Sequence, residues 1–235
     1  MTTQEFSSRF DILYNNITSS QAPGLDEYEK SVFLTREQEN LVLSLYSDSS
    51  PLGSFERTEQ LRRDLEPLLE EVVLEPDDDA TGDHIVRGSQ FFSLYPATNL
   101  WFIVYEAGRY KSINGNPCRP EDDFPVEIVP VTYDDLHRIK GNPFRGPNDR
   151  RALRLDNGKV AGSSRVEIIS KEGLSEYYVK YIRRPRPIIL TDLEGDLKVN
   201  GDNKVSECEL HSSLHGLILD GAVKAAISAM NGYTQ

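Results

Sequence analysis

His211 and His215 stand four residues apart near the end of the chain. On a helix that spacing puts both imidazoles on one face, as a metal pair requires. The run between them, HSSLH, lacks the glutamate that a zinc protease places there. Two histidines alone are too few ligands for a site, so the pair reads as exposed or capping residues. Asp77, Asp78 and Asp79 could attract a divalent cation, but adjacent carboxylates without an ordered loop are ordinarily solvated. The acidic hairpin TDLEGDLKVNGDNKVSE at 191–207 lacks both the ligand order and the closing glutamate of a calcium loop. The chain has no G-x-S-x-G elbow, no P-loop and no G-x-G-x-x-G, and neither Cys118 nor Cys208 sits in a nucleophile motif. No catalytic, cofactor-binding or metal residue is therefore assigned, and no cofactor is expected.

The stretch with the most concentrated chemistry is LHRIKGNPFRGPNDRRALRLD, residues 136–156. It is too polar for a core and too rich in proline and glycine for a helix. Phe144 is the large apolar side chain at its tip, with Asn142, Pro143, Arg145, Pro147, Arg150 and Arg151 around it. An aromatic beside arginines on a stiff turn is a common interface anchor. A second basic segment, RRPRP at 183–187, begins with Arg183 and Arg184. It suits contact with phosphate or an acidic partner, and equally a solvated strand edge guarded by charge and proline.

The elements that must position these residues change character along the chain. Phe6, Phe10, Leu13 and Ile17 mark one face of a first helix, stopped by APG at 22–24. A second begins at Leu25, and the capping-box pair Thr35 and Gln38 predicts a break and restart within it. A third carries Leu61 and Leu65 and should end at Pro67. From about residue 84 the aromatic and β-branched runs SQFFSLYP and NLWFIVYEAGRY predict strands joined as a hairpin through Pro96 to Asn99. VEIVPVTYDDL reads as a strand leading into a short helix capped by Thr132, and Asn157-Gly158 as a hairpin turn. EYYVKYIRRPRPIIL alternates in polarity, and Pro185 and Pro187 predict an edge strand. Ser206 and Glu209 form a capping-box pattern for a last helix to about Met230. Its inner face is expected to carry Leu210, Leu214, Leu217 and Ile218, then Ala222, Ala225, Ala226 and Ala229. The sum is an α+β chain. It has an N-terminal helical region (1–75), a β-rich region (84–200) with a protruding arm at 136–156, and a C-terminal helix (206–231) returning to the helical core.

Bulk properties narrow the function. The 235 residues carry a net charge of −12, which argues against wrapping nucleic acid over the whole surface, though a basic loop could still touch it. Two cysteines are too few for a disulfide framework, and a reducing compartment fits best. The opening MTTQEFSSRF has neither the basic nor the apolar region of a signal peptide, and runs such as LWFIVY fall short of a membrane span. Synthesis in the cytoplasm, with no membrane partner, is expected.

Taken together these segments resemble a family, the head–tail ring (connector or adaptor) proteins of crAss-like tailed bacteriophages. The resemblance is carried by QEFSSRFDILYNN, DEYEKSVFLTREQENLVLSLY, LWFIVYE and VPVTYDDLHRIKGNPFRGPNDRRALRLD, then by VKYIRRPRPIIL and ECELHSSLHGLILDGAVKAAISA. It implies a non-enzymatic virion component made in the bacterial host. It implies a homo-oligomeric ring of about twelve copies between the portal vertex and the tail, closed by rotation. The implied partners are other copies, the portal protein and an adjacent tail ring protein, with genomic DNA passing the lumen without specific binding. In such a ring, interface roles are expected for Asn142, Pro143, Phe144, Arg145, Pro147, Arg150, Arg151, Arg183 and Arg184, and Ala222 and Ala226 on the last helix should face a close neighbour, either within the fold or towards the portal. Two other classes compete with it: a phage binding or regulatory module using the basic loop on an acidic partner, and a hydrolase with an unrecognised carboxylate site.

Overall fold

A computed structural model describes residues 1–18, 24–46, 59–77, 89–94, 99–110, 125–160, 163–171 and 173–232. It is an α+β protein with two compact units, one of residues 1–68 and 184–235, the other of residues 69–183. The first strand starts at Leu69, ahead of the expected start of the β region at 84. Arg184 onward belongs with the helices rather than with the β region.

In the helical unit, α1 (Thr3–Thr18) buries Phe6, Phe10 and Tyr14, whereas Ile17 is exposed. The buried face runs in steps of four, so Tyr14 takes the place expected of Ile17. α2 (Glu27–Tyr46) opens on a reciprocal cap: Glu29 N donates to Asp26 Oδ1 at 2.7 Å and Asp26 N to Glu29 Oε2 at 3.0 Å. It runs unbroken through Thr35 and Gln38, which are buried and do not cap anything. With Ser31 they line a stripe that holds the extended segment 186–190. Thr35 Oγ1 donates to Ile188 O and accepts from Ile188 N, Gln38 Nε2 donates to Arg186 O at 2.7 Å, and Ser31 Oγ accepts from Leu190 N. A buried backbone segment must satisfy its polar groups somewhere, and here a helix's side chains do so in place of a neighbouring strand.

α3 (Glu59–Leu65) tightens into a 3-10 turn over Glu66–Leu68 around Pro67, as proline requires. The last helix, α5 (His215–Gly232), starts later than the Ser206–Glu209 pattern predicts. Ser206 instead donates its hydroxyl to Pro187 O and pairs with Ile189, while Glu209 Oε2 accepts from Arg186 N. Tertiary partners claimed both residues. α5 packs against α1 and α2. Ile218, Leu219, Ala222, Val223 and Ala226 are buried, while Leu217 is exposed. The approach to α2 is so close that a Cβ on Gly221 would meet the Glu37 side chain. Between Ile189 and Ser206 a hairpin turns at Asn200 (φ 52°) and Gly201 (φ 98°), two left-handed residues in succession as the tightest hairpin turn demands.

The second unit is a curled seven-stranded sheet in the order β1-β7-β3-β4-β5-β6-β2. The strands are β1 (Leu69–Leu74), β2 (Gln90–Ser93), β3 (Leu100–Tyr110), β4 (Val126–Pro130), β5 (Arg151–Val160), β6 (Ser163–Ile169) and β7 (Leu174–Arg183). β7 lies between β1 and β3, so it is central rather than an edge: it ends at Arg183, before Pro185 can interrupt a ladder. β2 pairs with β6 and not with β3, so no hairpin joins the two aromatic runs. Asn157 and Gly158 (φ 72°) lie inside β5, where the register slips between Asp156 and Lys159. They form a bulge rather than the turn, and the connection to β6 falls on 161–162, outside the described residues.

β4 and β5 are parallel, joined by α4 (Tyr133–Lys140), whose Thr132 cap accepts from Asp135 N as the sequence predicts. α4 lays Leu136 and Ile139 over Leu153, Leu155 and Ile169 on one face of the sheet. On the other face Phe92, Val126, Ile128, Val166, Ile168, Tyr177 and Val179 form the main core. Asp77 N donates to Phe91 O at 2.9 Å, so the chain leaving β1 reaches β2 and the two ends of the sheet meet there.

Candidate protein interface

The loop between α4 and β5 is built by its own polar side chains. Asn142 Oδ1 accepts from the backbone N of Phe144 (2.9 Å) and Arg145 (3.3 Å), and Asn142 O from Gly146 N at 2.7 Å. A Cβ at Gly146 would come within 2.8 Å of Asn142 O, so this turn needs glycine. Asn148 repeats the device: its Oδ1 accepts from Arg150 N, and its backbone pairs with Arg151 in both directions. Tyr110 OH donates to Asn148 O at 2.8 Å, and Lys171 pairs with Asp149 at 2.9 Å. Arg151 sends Nε and Nη2 to Glu127 Oε2 at 3.1 Å and Nη1 to Phe144 O at 3.3 Å. The backbone under Phe144 is thereby fixed to β3, β4 and β5.

On this base Phe144 is 86% exposed, and Pro143, Arg145 and Arg150 are exposed beside it. Asn142, Pro147 and Arg151 are half-buried and serve the loop's shape. The other residues proposed from sequence are placed elsewhere. Arg183 pairs with Glu70 at 2.9 Å, and Arg184 with Glu39 at 2.8 Å, each within its own unit. Ala222 and Ala226 are fully buried inside the helical unit, so their close neighbour is within the chain itself. Sequence reasoning missed Tyr110, Glu127 and Asn148 as supports. An Asn-Pro turn signals a bend, but its anchors come from distant strands.

His211, His215, Cys208 and Glu106 are each engaged by neighbours within the fold. His215 is buried with Nε2 donating to Leu210 O at 2.9 Å, which leaves Nδ1 to accept from the Met1 ammonium at 2.6 Å. Burial first, then the adjacent ammonium, hold its pKa below the usual histidine value. His211 instead caps the turn before α5 and lies 3.7 Å from Asp64. Cys208, three residues before His211, turns its thiol to Gln38 Oε1 at 3.2 Å, and burial pushes its pKa up to about 11, the opposite of a reactive thiolate. No group of three metal-binding side chains occurs among the described residues. Asp77 pairs with Arg165 at 3.5 Å; Asp78, Asp79 and Cys118 lie outside the described residues. Asp192 accepts from Val205 N at 2.8 Å, closing its own hairpin. In the sheet's interior Arg154 meets Glu106 at 3.2 Å, and Tyr177 OH donates to Glu106 at 2.6 Å. Burial raises the Glu106 pKa while Arg154 opposes the shift. No helix among the described residues is long and apolar enough to cross a membrane.

Among the described residues, then, an exposed aromatic is held rigidly beside arginines, and the buried titratable groups named above are bonded within the fold. The chain belongs to the phage tail ring protein 3/4 family, whose model matches residues 1–235, and it is a ring protein of the crAss-like phages. It is 42% identical to "Ring protein 3" of Bacteroides phage crAss001 over 230 residues, covering 97% of this chain and 95% of that protein. It is 36% identical to "Ring protein 4/5" of the same phage over 250 residues, covering 100% of this chain and 96% of that one.

Proposed function

We propose that the protein is a non-enzymatic subunit of a homo-oligomeric ring of about twelve copies that joins the portal vertex to the tail and encloses the DNA channel. The observation that carries the reading is Phe144, 86% exposed on a loop fixed by hydrogen bonds, within a chain matched end to end by a tail ring family. A pre-formed loop loses little entropy on docking, and an aromatic beside arginines is the residue type that anchors interfaces. Phe144, Arg145 and Arg150 are the contact residues; Asn142, Pro143, Pro147 and Arg151 hold them in place. The portal protein and a neighbouring tail ring are the expected partners above and below. Reconstruction of purified virions tests the reading: density for this chain as a closed ring at the head–tail junction is expected. Its absence from virions would remove the proposal, and a free complex with a non-virion protein would favour a regulatory module instead.

A further inference from the structure

The outer face of β1, β7 and β3 presents Val73 (56% exposed) and Tyr105 (48% exposed), with Tyr178 between them. Val73 pairs directly with Tyr178, and the Tyr105 and Tyr178 rings meet edge-on with centroids 6.1 Å apart. Alternation along β7 sends Tyr177 and Val179 to the core and leaves Tyr178 outside. Such a face normally carries polar side chains. Glu71 and Glu75 flank Val73 on the same strand and are exposed. The run 69–77 holds four carboxylates and no cation. Among the described residues, Lys180, opposite Glu71, and Arg109, which pairs with Glu176 at 3.0 Å, are the cations on this face. The patch is thus apolar and aromatic, with a carboxylate border along β1.

We infer that this Val73–Tyr105–Tyr178 face receives the Phe144 loop of a second copy of the chain. Phe144 supplies the ring that an edge-on tyrosine pair can extend, and Arg145 and Arg150 supply cations for Glu75 and for Glu71, whose Oε2 already accepts from Tyr178 OH at 2.5 Å. Phe144 is 86% exposed, so its own copy does not cover it. Loop and patch are carried on different strands of one sheet, so each copy offers both at once. One such contact, repeated, links copies head to tail and can close by rotation into a ring. The inference rests on the ring reading and adds which surface does the receiving.

Photocrosslinking separates the two. A chain with benzoylphenylalanine at position 144 is mixed with heavy-isotope wild type, incorporated into particles and irradiated, and the linked peptides are mapped. Crosslinks from position 144 to heavy peptides containing Val73, Tyr105 or Tyr178 are expected. Rings that form with crosslinks elsewhere, or with none, overturn this inference and leave the ring reading standing. Failure of the wild-type chain to enter any ring defeats both. Charge exchange provides an independent check. R145E with R150E should lower copies per particle at least tenfold, and adding E71K with E75K in the same chain should restore most of the loss. If the first pair has no effect, or the second gives no recovery, the proposed pairing is wrong.

Discussion

Phe144 and Arg145 owe their positions to Asn142, Asn148 and Arg151, so removing their side chains should leave that scaffold intact. The double variant Phe144→Ala/Arg145→Ala is expected to melt within about 0.5 kcal/mol of wild type, as exposed substitutions do. It should nevertheless fail to enter particles, because aromatic and arginine anchors carry about 2 kcal/mol or more. A melting curve and a count of copies per virion check the two halves. Arg154 behaves in the opposite way. Arg154→Leu leaves Glu106 buried without its cation, and breaking such a pair costs about 3–5 kcal/mol, readable as a denaturant midpoint. His215 adds a pH dependence. Its pKa in the fold lies below the unfolded value, so the unfolded chain takes up the proton first as pH falls. Stability is complete above the unfolded pKa and declines as pH drops from there towards the folded value. Unfolding at pH 7.5 and 5.5 should show that decline, and His215→Gln should flatten it. At this scale the sequence revealed the exposed aromatic, because a phenylalanine between Pro143 and Arg145 has no periodic pattern to join. It concealed the buried Arg154–Glu106–Tyr177 group, because its members come from three strands and only pairing brings them together.

Among the elements, α2 shows how a local signal can mislead. Thr35 and Gln38 are spaced like a capping box, yet both face the segment 186–190, which lies about 150 residues away in sequence. Thr35→Val keeps the shape and removes both bonds to Ile188. The orphaned N–H and carbonyl should cost about 1–3 kcal/mol each in thermal or denaturant unfolding. On α5, Ala226→Leu should cost about 1–3 kcal/mol by overpacking, and unchanged stability would show that the site has room. Helices and strands were legible because periods of 3.6 and 2 are local properties. The partners of strands were not. β2 and β3 adjoin in sequence but pair with β6 and with β7 and β4 respectively, and the prolines after Arg183 say where β7 ends, not where it lies. Asn-Gly likewise serves a bulge at 157–158, where only Gly158 has positive φ, and a turn at 200–201, where both residues do, and the two letters alone do not distinguish them.

At the scale of the whole molecule, charge dominates. Each chain carries −12, so a ring of about twelve would carry roughly −144 and repel phosphate along any acidic lining. A channel that passes DNA must not hold it. Arg151, Arg183 and Arg184 are engaged with Glu127, Glu70 and Glu39 of the same chain, which leaves them less available to a phosphate backbone. The free protein is therefore expected to bind double-stranded DNA weakly at physiological salt. Submicromolar binding that falls steeply with salt, and disappears when Arg145 and Arg150 are neutralised, would show instead that the loop serves nucleic acid.

The two passages of chain between the units lie side by side: the β unit is entered at Leu69 and left at Arg183, and Leu69 is paired with Ile182 across the ladder. Paired residues sit about 5 Å apart, which is the span of a tight turn. The β unit is therefore a cassette inserted into the chain of the helical unit, its entry and exit no farther apart than the strands of a hairpin. Both surfaces inferred to link copies, the Phe144 loop and the Val73–Tyr105–Tyr178 face, lie on this cassette, so exchanging it would change how copies meet. Replacing 69–183 with a short glycine-serine bridge should leave a helical unit that still folds cooperatively, with segment 186–190 seated along α2.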